Sequence, residues 1–502
     1  MRIAGIDAAR QYVPLEIRFR GQEIGSAYES DVSAVFVSKS EEKRVSGFYD
    51  GNGEYAVRFM PSYPEEYKYE ITGKSLSAPV SGSFAAKPKV EGFHGVARAN
   101  GFHFAYSDGV PLRPLGTTAY AFALQPRERV EETFRSLESA PFNKIRFCVF
   151  PKHYIHNLKA PFAYPFVGSA APESADFVWY GGETNFASLG NRFDFSAPNP
   201  AYFERLDECI LRLMELGIEA DLILFHPYDR WGFSNMPHET DIAYVKYAVA
   251  RFSAFPNVWW SLANEYDLMP QKSVADWDDI GETIESCDAY GHLRSIHNCI
   301  PLYDFSRPWV THCSIQRVDL YKTTELADEF RERWNKPVVF DEIAYEGDID
   351  QGWGALTAEE LVRRFWEAAT RGAYATHGET FDVPSDVLWW SHGGTLHGES
   401  PARLAFLRDV LALAPACGLG AYAKKGWAET AVSDEDGSES FILVYYGFNR
   451  YSARDFHLGS GRYSVEILDT WNMTRENAGV RSGDFRLKLP AKPYIAVLLR
   501  KE

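Results

Sequence analysis

Two rhythms of apolar and polar residues divide the chain. In residues 1–90 the period is two: "EYAVRFMP" sets Tyr55, Val57 and Phe59 on one face, and "EYKYEI" does the same with Tyr67, Tyr69 and Ile71. Alternation of this kind marks half-buried strands, and Asp50-Gly51-Asn52-Gly53 supplies hairpin chemistry between them. A small β-sandwich is predicted here. From 91 to 415, apolar runs of strand length alternate with segments of helical period. The runs are "LRPLGTTAY", "NKIRFCVF", "IEADLILFH", "NVWWSLANE", "HLRSIHNC", "WVTHCSIQ", "KPVVFDEIA" and "GAYATHGET". Asn199 as cap and Pro200 open a helix with Phe203, Leu206, Ile210 and Leu213 on one face, and Gly217 stops it. Thr357 and Glu360 predict a capping box for a helix with Leu361, Phe365 and Ala369 on its apolar face, ending at Gly372. Ser400 and Pro401 open "SPARLAFLRDVLALA" in the same way. Eight strands, most followed by a helix, predict an α/β fold, a (β/α)8 TIM barrel with long insertions. A doubly wound sheet is the competing arrangement, but it wants a Gly-rich phosphate loop after its first strand, and "LGTTAYAF" is not one. From 416 to 502 the period returns to two in "SFILVYYGF", "RYSVEILDTW", "DFRLKLP" and "YIAVLLRK", predicting a small antiparallel β-domain. The expected domains are 1–90, 91–415 and 416–502.

Composition narrows the function. The 502 residues are 45% hydrophobic and 15% aromatic, ample for large packed cores. The balance of 52 Lys and Arg against 69 Asp and Glu leaves −17, which repels a phosphate backbone and argues against nucleic acid. None of the six cysteines forms a CxxC pair, and Cys148, Cys299 and Cys313 lie in apolar runs, so free thiols in a reducing compartment are expected. The N-terminus has no apolar signal core, and no run reaches the ~18 apolar residues of a membrane span. A soluble, cytoplasmic protein with no membrane partner is expected; the oligomeric state is left open.

In a TIM barrel the C-terminal tips of the strands line the active site, so the tips are where chemistry is sought. The fourth run ends in Asn264-Glu265 and the seventh in Asp341-Glu342. The second carries Arg146, the third His226 with Tyr228 and Asp229 beyond it, and the sixth His312 and Gln316. The eighth offers His377 and Glu379, followed by Trp389, Trp390 and His397. Two carboxylates on opposite walls of one pit suit glycosidic-bond cleavage: one donates a proton to the leaving oxygen, the other attacks the anomeric carbon or activates water. A carboxyl separation of about 5–5.5 Å belongs to the retaining scheme and about 6.5–9.5 Å to the inverting one. Arg146 can hold a nucleophile ionised, Asn264 can bond a sugar hydroxyl, and tryptophans can stack on sugar faces. No HxH or HExxH spacing supports a metal among His226, His312, His377, His392 and His397, so neither metal nor cofactor is expected. Tyr164, Phe166, Trp179 and Tyr180 either pack the insertion after the second strand onto the barrel or wall a subsite.

Asn-Glu ending the fourth strand and Glu ending the seventh resemble the retaining glycoside hydrolases of clan A. That resemblance implies Glu265 as acid/base, Glu342 as nucleophile and Arg146 beside it. "FHFAYSDGVPLRPLGTTAYAF", "FPKHYIHN", "HPYDRWGF" and "ATHGETF…LWWSHGGTLHGE" are similar to the bacterial apiosidase-like or endoglucanase family, whose barrel sits between an N-terminal β-sandwich and a C-terminal β-domain. The clan often has a tyrosine on strand six bonding the nucleophile; here His312 or Tyr345 is expected instead. Relatives using Asp as acid/base make Asp229 and Asp267 rivals to Glu265. The expected activity is hydrolysis of plant cell-wall oligosaccharides or glycosides by double displacement. The competing functions are a metal-dependent barrel hydrolase using His226 and His312, and a carbohydrate-binding scaffold without catalysis.

Overall fold

The computed structural model describes residues 3–172, 190–317, 319, 323–383 and 388–502; Trp179 and Tyr180 lie outside the described residues. Its centre is a parallel barrel of β1 (Gly116–Thr118), β2 (Lys144–Cys148), β3 (Glu219–Phe225), β4 (Val258–Ala263), β5 (Arg294–Ser295), β6 (Cys313–Gln316), β7 (Val338–Glu342) and β8 (Tyr374–His377). The sheet runs β5-β4-β3-β2-β1-β8-β7-β6. A parallel bridge between His297 and Ser314 and a 2.9 Å bond from Thr311 N–H to the Arg294 carbonyl bring its two edges together. The predicted TIM barrel is thus the observed one. β2, β3, β4 and β7 are buried at every residue, because parallel strands are covered on both faces, and this is why they read as unbroken apolar runs.

Helices α1 (Arg127–Ser139), α2 (Pro200–Glu215), α3 (His238–Phe252), α4 (Val274–Cys287), α5 (Ala327–Trp334), α6 (Ala358–Ala369), α7 (Trp389–His392) and α8 (Ser400–Leu411) complete the layer, while β5 reaches β6 through a loop. Three caps differ from expectation: Ser400 is the first residue of α8, behind Glu399, and its side chain caps no amide. Asn199 caps no amide; its side chain donates instead to the Tyr164 carbonyl at 2.9 Å. Thr357 accepts from Glu360 N–H at 3.3 Å, but the Glu360 carboxylate turns to Arg363 and Arg364, so only half the capping box forms. No helix among the described residues is long and apolar enough to cross a membrane.

The N-terminal sandwich pairs a three-stranded sheet (Leu15–Arg20, Glu54–Phe59, Phe48–Tyr49) with a four-stranded one (Glu42–Ser46, Ser33–Val37, Glu66–Thr72, Val80–Ala85). Tyr55, Val57 and Phe59 fill its core as the alternation predicts. The opposite face of the same strand is buried too: Ala56 joins the barrel core, and Arg58 makes two 2.7 Å bonds to Asp207 on α2. Arg251 on α3 bonds that carboxylate at 2.7 Å and Asp50 at 2.8 Å. A three-stranded sheet (Ala97–Asn100, His103–Tyr106, Pro111–Leu112) closes the barrel floor, where Phe104 packs 5.1 Å from Trp259. The C-terminal six-stranded sheet places Leu443, Tyr445 and Leu498 in the barrel's core cluster, with Tyr445 5.6 Å from Trp366 of α6. Tyr164 and Phe166 pack inward on Trp231 and Phe150, which is the packing role of the two expected. All six cysteines are free; Cys417 is exposed rather than buried.

Candidate active site

The barrel interior is unusually ionic just below the tips. Lys144 bonds Asp221 and Asp341 at 2.7 Å each, and Ser314 and Thr376 donate to Asp341 at 2.6 and 2.8 Å. Pairing shifts by one residue between Ile315 and Gln316, so that Gln316 faces Glu342 rather than Asp341. This bulge lets two consecutive residues of β7 work inside: Asp341 anchors the ion cluster while Glu342 is re-aimed at the mouth. Opposite, Glu265 lies two residues past β4 in the left-handed region (φ 53°), a conformation of roughly 1–2 kcal/mol cost for a residue with a Cβ. Such backbone strain gathers at functional sites.

The two carboxylates belong to one hydrogen-bonded chain. Tyr228 donates to Glu265 Oε2, and Asn264 Nδ2 donates to the same oxygen at 3.3 Å. The Tyr120 hydroxyl meets Glu342 Oε1 and lies 3.0 Å from Asn264 Oδ1. It has one proton, so it serves the carboxylate when Glu342 is ionised and Asn264 when Glu342 carries the proton. Arg146 is fully buried, its Nη1 3.8 Å from Glu342 Oε1, with Nε and Nη1 lacking a hydrogen-bond partner. Burial opposes its charge, yet Asp341, Asp221 and Glu342 keep its pKa raised. Burial and the charge of Glu265 push the Glu342 carboxyl up to about 7, against Arg146, Tyr120 and Lys152.

Lys152 completes the site, and no sequence pattern pointed to it. Its ammonium lies 3.8 Å from the Tyr120 ring centroid and 4.3 Å from both Tyr228 and Trp390, a cage of cation–π contacts. Burial pulls it down to about 8, while Glu265 and Glu342 act to retain its charge. Trp390 extends the wall, 5.0 Å from Trp353 and 6.2 Å from Tyr154. Tyr120, missed like Lys152, is the tyrosine that bonds Glu342; it comes from just past β1, not from strand six.

Glu265, Glu342, Arg146, Asn264, Tyr228 and Trp390 thus converge as expected, and the other candidates do not. Asp229 accepts bonds from the Trp231, Gly232 and Ser234 amides and from the Ser234 hydroxyl, so it clamps a turn. Asp267 likewise accepts from the Cys299 and Ile300 amides. His312 precedes β6 rather than ending it, and sits on the floor 5.2 Å from Trp259. His226 follows β3 at the other end of the barrel and bonds the Phe150 carbonyl at 3.1 Å. Burial takes both imidazoles down to about 3, so they are neutral, and they share no site. Trp389 donates to Thr117 Oγ1 at 2.9 Å inside the barrel wall. Glu379 accepts the His397 and Gly398 amides at 2.5 and 2.8 Å, while His397 itself is exposed.

Residues 99–394 match the apiosidase-like catalytic domain family, and residues 8–74 and 427–500 match two domains of unknown function, DUF5060 and DUF5605. A crystal structure from Bacteroides vulgatus, of a protein assigned as a glycoside hydrolase, is 33% identical with a TM-score of 0.88, covering 99% of this chain and 100% of that one. A family 5 glycoside hydrolase from the same organism shares the fold at 16% identity and TM-score 0.61, over 82% of this chain and 94% of its own. No curated protein sequence matches. With one family spanning more than half of its length and a relative alike from end to end, the chain belongs to the apiosidase-like family and is a glycoside hydrolase.

Proposed function

We propose that this protein hydrolyses glycosidic bonds by double displacement, with Glu342 as nucleophile and Glu265 as acid/base. The observation that carries the proposal is the pair of buried carboxylates, Glu265 and Glu342, joined through Asn264 and Tyr120 at the mouth of the barrel. In the first half-reaction Glu265 gives a proton to the leaving oxygen as Glu342 attacks the anomeric carbon. In the second, Glu265 takes a proton from water, which displaces Glu342. Arg146 and Tyr120 stabilise the ionised nucleophile, and Trp390 with Trp353 offers a stacking face for sugar. The substrates proposed are oligosaccharides from plant cell walls, met in the cytoplasm, and the working units are residues 1–90, 91–415 and 416–502. Support for plant glycans comes from the family. A panel of aryl glycosides and oligosaccharides tests the reading. On the best substrate, retention of anomeric configuration is expected, and Glu342→Ala should lose at least 1,000-fold in kcat/KM, on the order of the cost of removing a group that acts in the transition state. Inversion, or full activity in the variant, overturns it.

A further inference from the structure

Behind the catalytic pit, three buried side chains have no part in the chemistry described above. Glu346 follows β7, His377 ends β8, and Glu379 lies two residues further on; none is more than 3% exposed. One ligand atom from each falls within 4.8 Å of the others. Glu346 is buried with no ion-pair partner among the described residues. The His377 imidazole is the independent pointer. Its Nδ1 is 3.0 Å from Thr117 Oγ1, whereas its Nε2 is buried without a hydrogen-bond partner among the described residues.

Nε2 lies 3.9 Å from Glu379 Oε2. That is too long for a hydrogen bond; two ligands of one tetrahedral Zn2+ stand roughly 3.3–3.5 Å apart, so a shift of about half an ångström seats an ion between them. Neighbouring amides hold the carboxylates in place. Glu399 and Ser400 donate to Glu346 at 2.7 and 3.1 Å, and His397 and Gly398 donate to Glu379 at 2.5 and 2.8 Å. Each Glu346 oxygen has a second lone pair with which to bond an ion. Gly398 lies over both groups: a Cβ there would come 2.5 Å from Glu346 Oε2 and 2.6 Å from Glu379 Oε2.

The geometry points to a divalent transition-metal site of the Zn2+ class formed by Glu346, His377 and Glu379. Two carboxylates balance a doubly charged ion, and imidazole beside oxygen ligands suits Zn2+ better than the all-oxygen shells of Ca2+ or Mg2+. Thr117 is then the outer partner that accepts Nδ1–H and fixes the tautomer. The ion is structural: it fastens the 397–400 turn, and with it the start of α8, to the tips of β7 and β8.

The test uses full-length protein carrying Cys417→Ser, because Cys417, Asp434 and Asp436 form a second, exposed group of potential ligands. The protein is stripped with EDTA and titrated with ZnCl2 by calorimetry, with Tm read in parallel. One equivalent bound and a Tm raised by several degrees are expected, with Glu346→Gln and Glu379→Gln each binding at least tenfold more weakly. Wild-type affinity in both variants, or no saturable binding in the parent, overturns the site. Crystals of the unsubstituted protein soaked in ZnCl2 need no variant to fold: an anomalous peak among the three side chains supports the site, and its absence there overturns it.

Discussion

At the scale of single residues, function turns on the hydrogen bonds and charges that surround Glu342. Tyr120 donates to the carboxylate that burial makes reluctant to ionise, so Tyr120→Phe should raise the cost of the ionised nucleophile. A hydrogen bond to a charged group is worth about 1.5–3 kcal/mol, so kcat/KM should fall about 10–100-fold with little change in Tm. A fall in Tm that accounts for the lost activity would contradict this role. Lys152 pulls the Glu342 carboxyl downward, and removing its charge has the opposite sign. Lys152→Met should therefore move the limb of the pH profile that reports Glu342 upward, on the order of one unit; an unmoved limb would show that the ammonium does not tune the nucleophile. Glu265, Glu342 and Arg146 were legible because charges at the ends of apolar strands have few structural uses. Tyr120 and Lys152 were not. A tyrosine at a strand end resembles core, and a lysine in a loop resembles surface, until the fold encloses it in aromatic rings.

At the scale of elements, all eight barrel strands could be read from their apolar runs, while their ends could not. "WVTHCSIQ" was expected to be strand throughout, but β6 begins at Cys313, which places His312 at the entrance and leaves Gln316 at the tip. The bulge that turns Glu342 inward is equally silent in sequence, since it depends on pairing with β6. Asp229 illustrates the same limit: a carboxylate beyond a strand tip serves a turn as readily as a substrate. Asp229→Ala strips acceptors from buried amides and should cost about 1–3 kcal/mol in denaturant unfolding. An unchanged stability with abolished activity would instead restore Asp229 as a rival acid.

At the scale of the whole molecule, the alternation in "EYAVRFMP" revealed one buried face of its strand but not the other, because the second face is buried by the barrel. Arg58 there shares Asp207 with Arg251. Burial works against the Asp207 charge, but Arg251 and Arg58 keep its pKa lowered. The linkage is that of a depressed acid: the stabilisation is present above the unfolded value of about 3.9 and is lost as pH falls through the lower folded value. Asp207→Ala leaves two arginines facing each other and should cost about 3–5 kcal/mol near neutrality. The variant should also show a smaller loss of stability than wild type between pH 4 and the acid transition. An equal loss would place the acid sensitivity elsewhere.

That strand, apolar toward the sandwich and ionic toward the barrel, also bears on descent. A module joined by a flexible linker can be exchanged by recombination, since neither partner notices the cut. Here a break near residue 90 would take Arg58 from Asp207 and Asp50 from Arg251 and uncover the barrel core beside Ala56. Sandwich and barrel are bound to be inherited as a pair, and a substitution at residue 58 that survives in any descendant should be answered by one at 207 or 251.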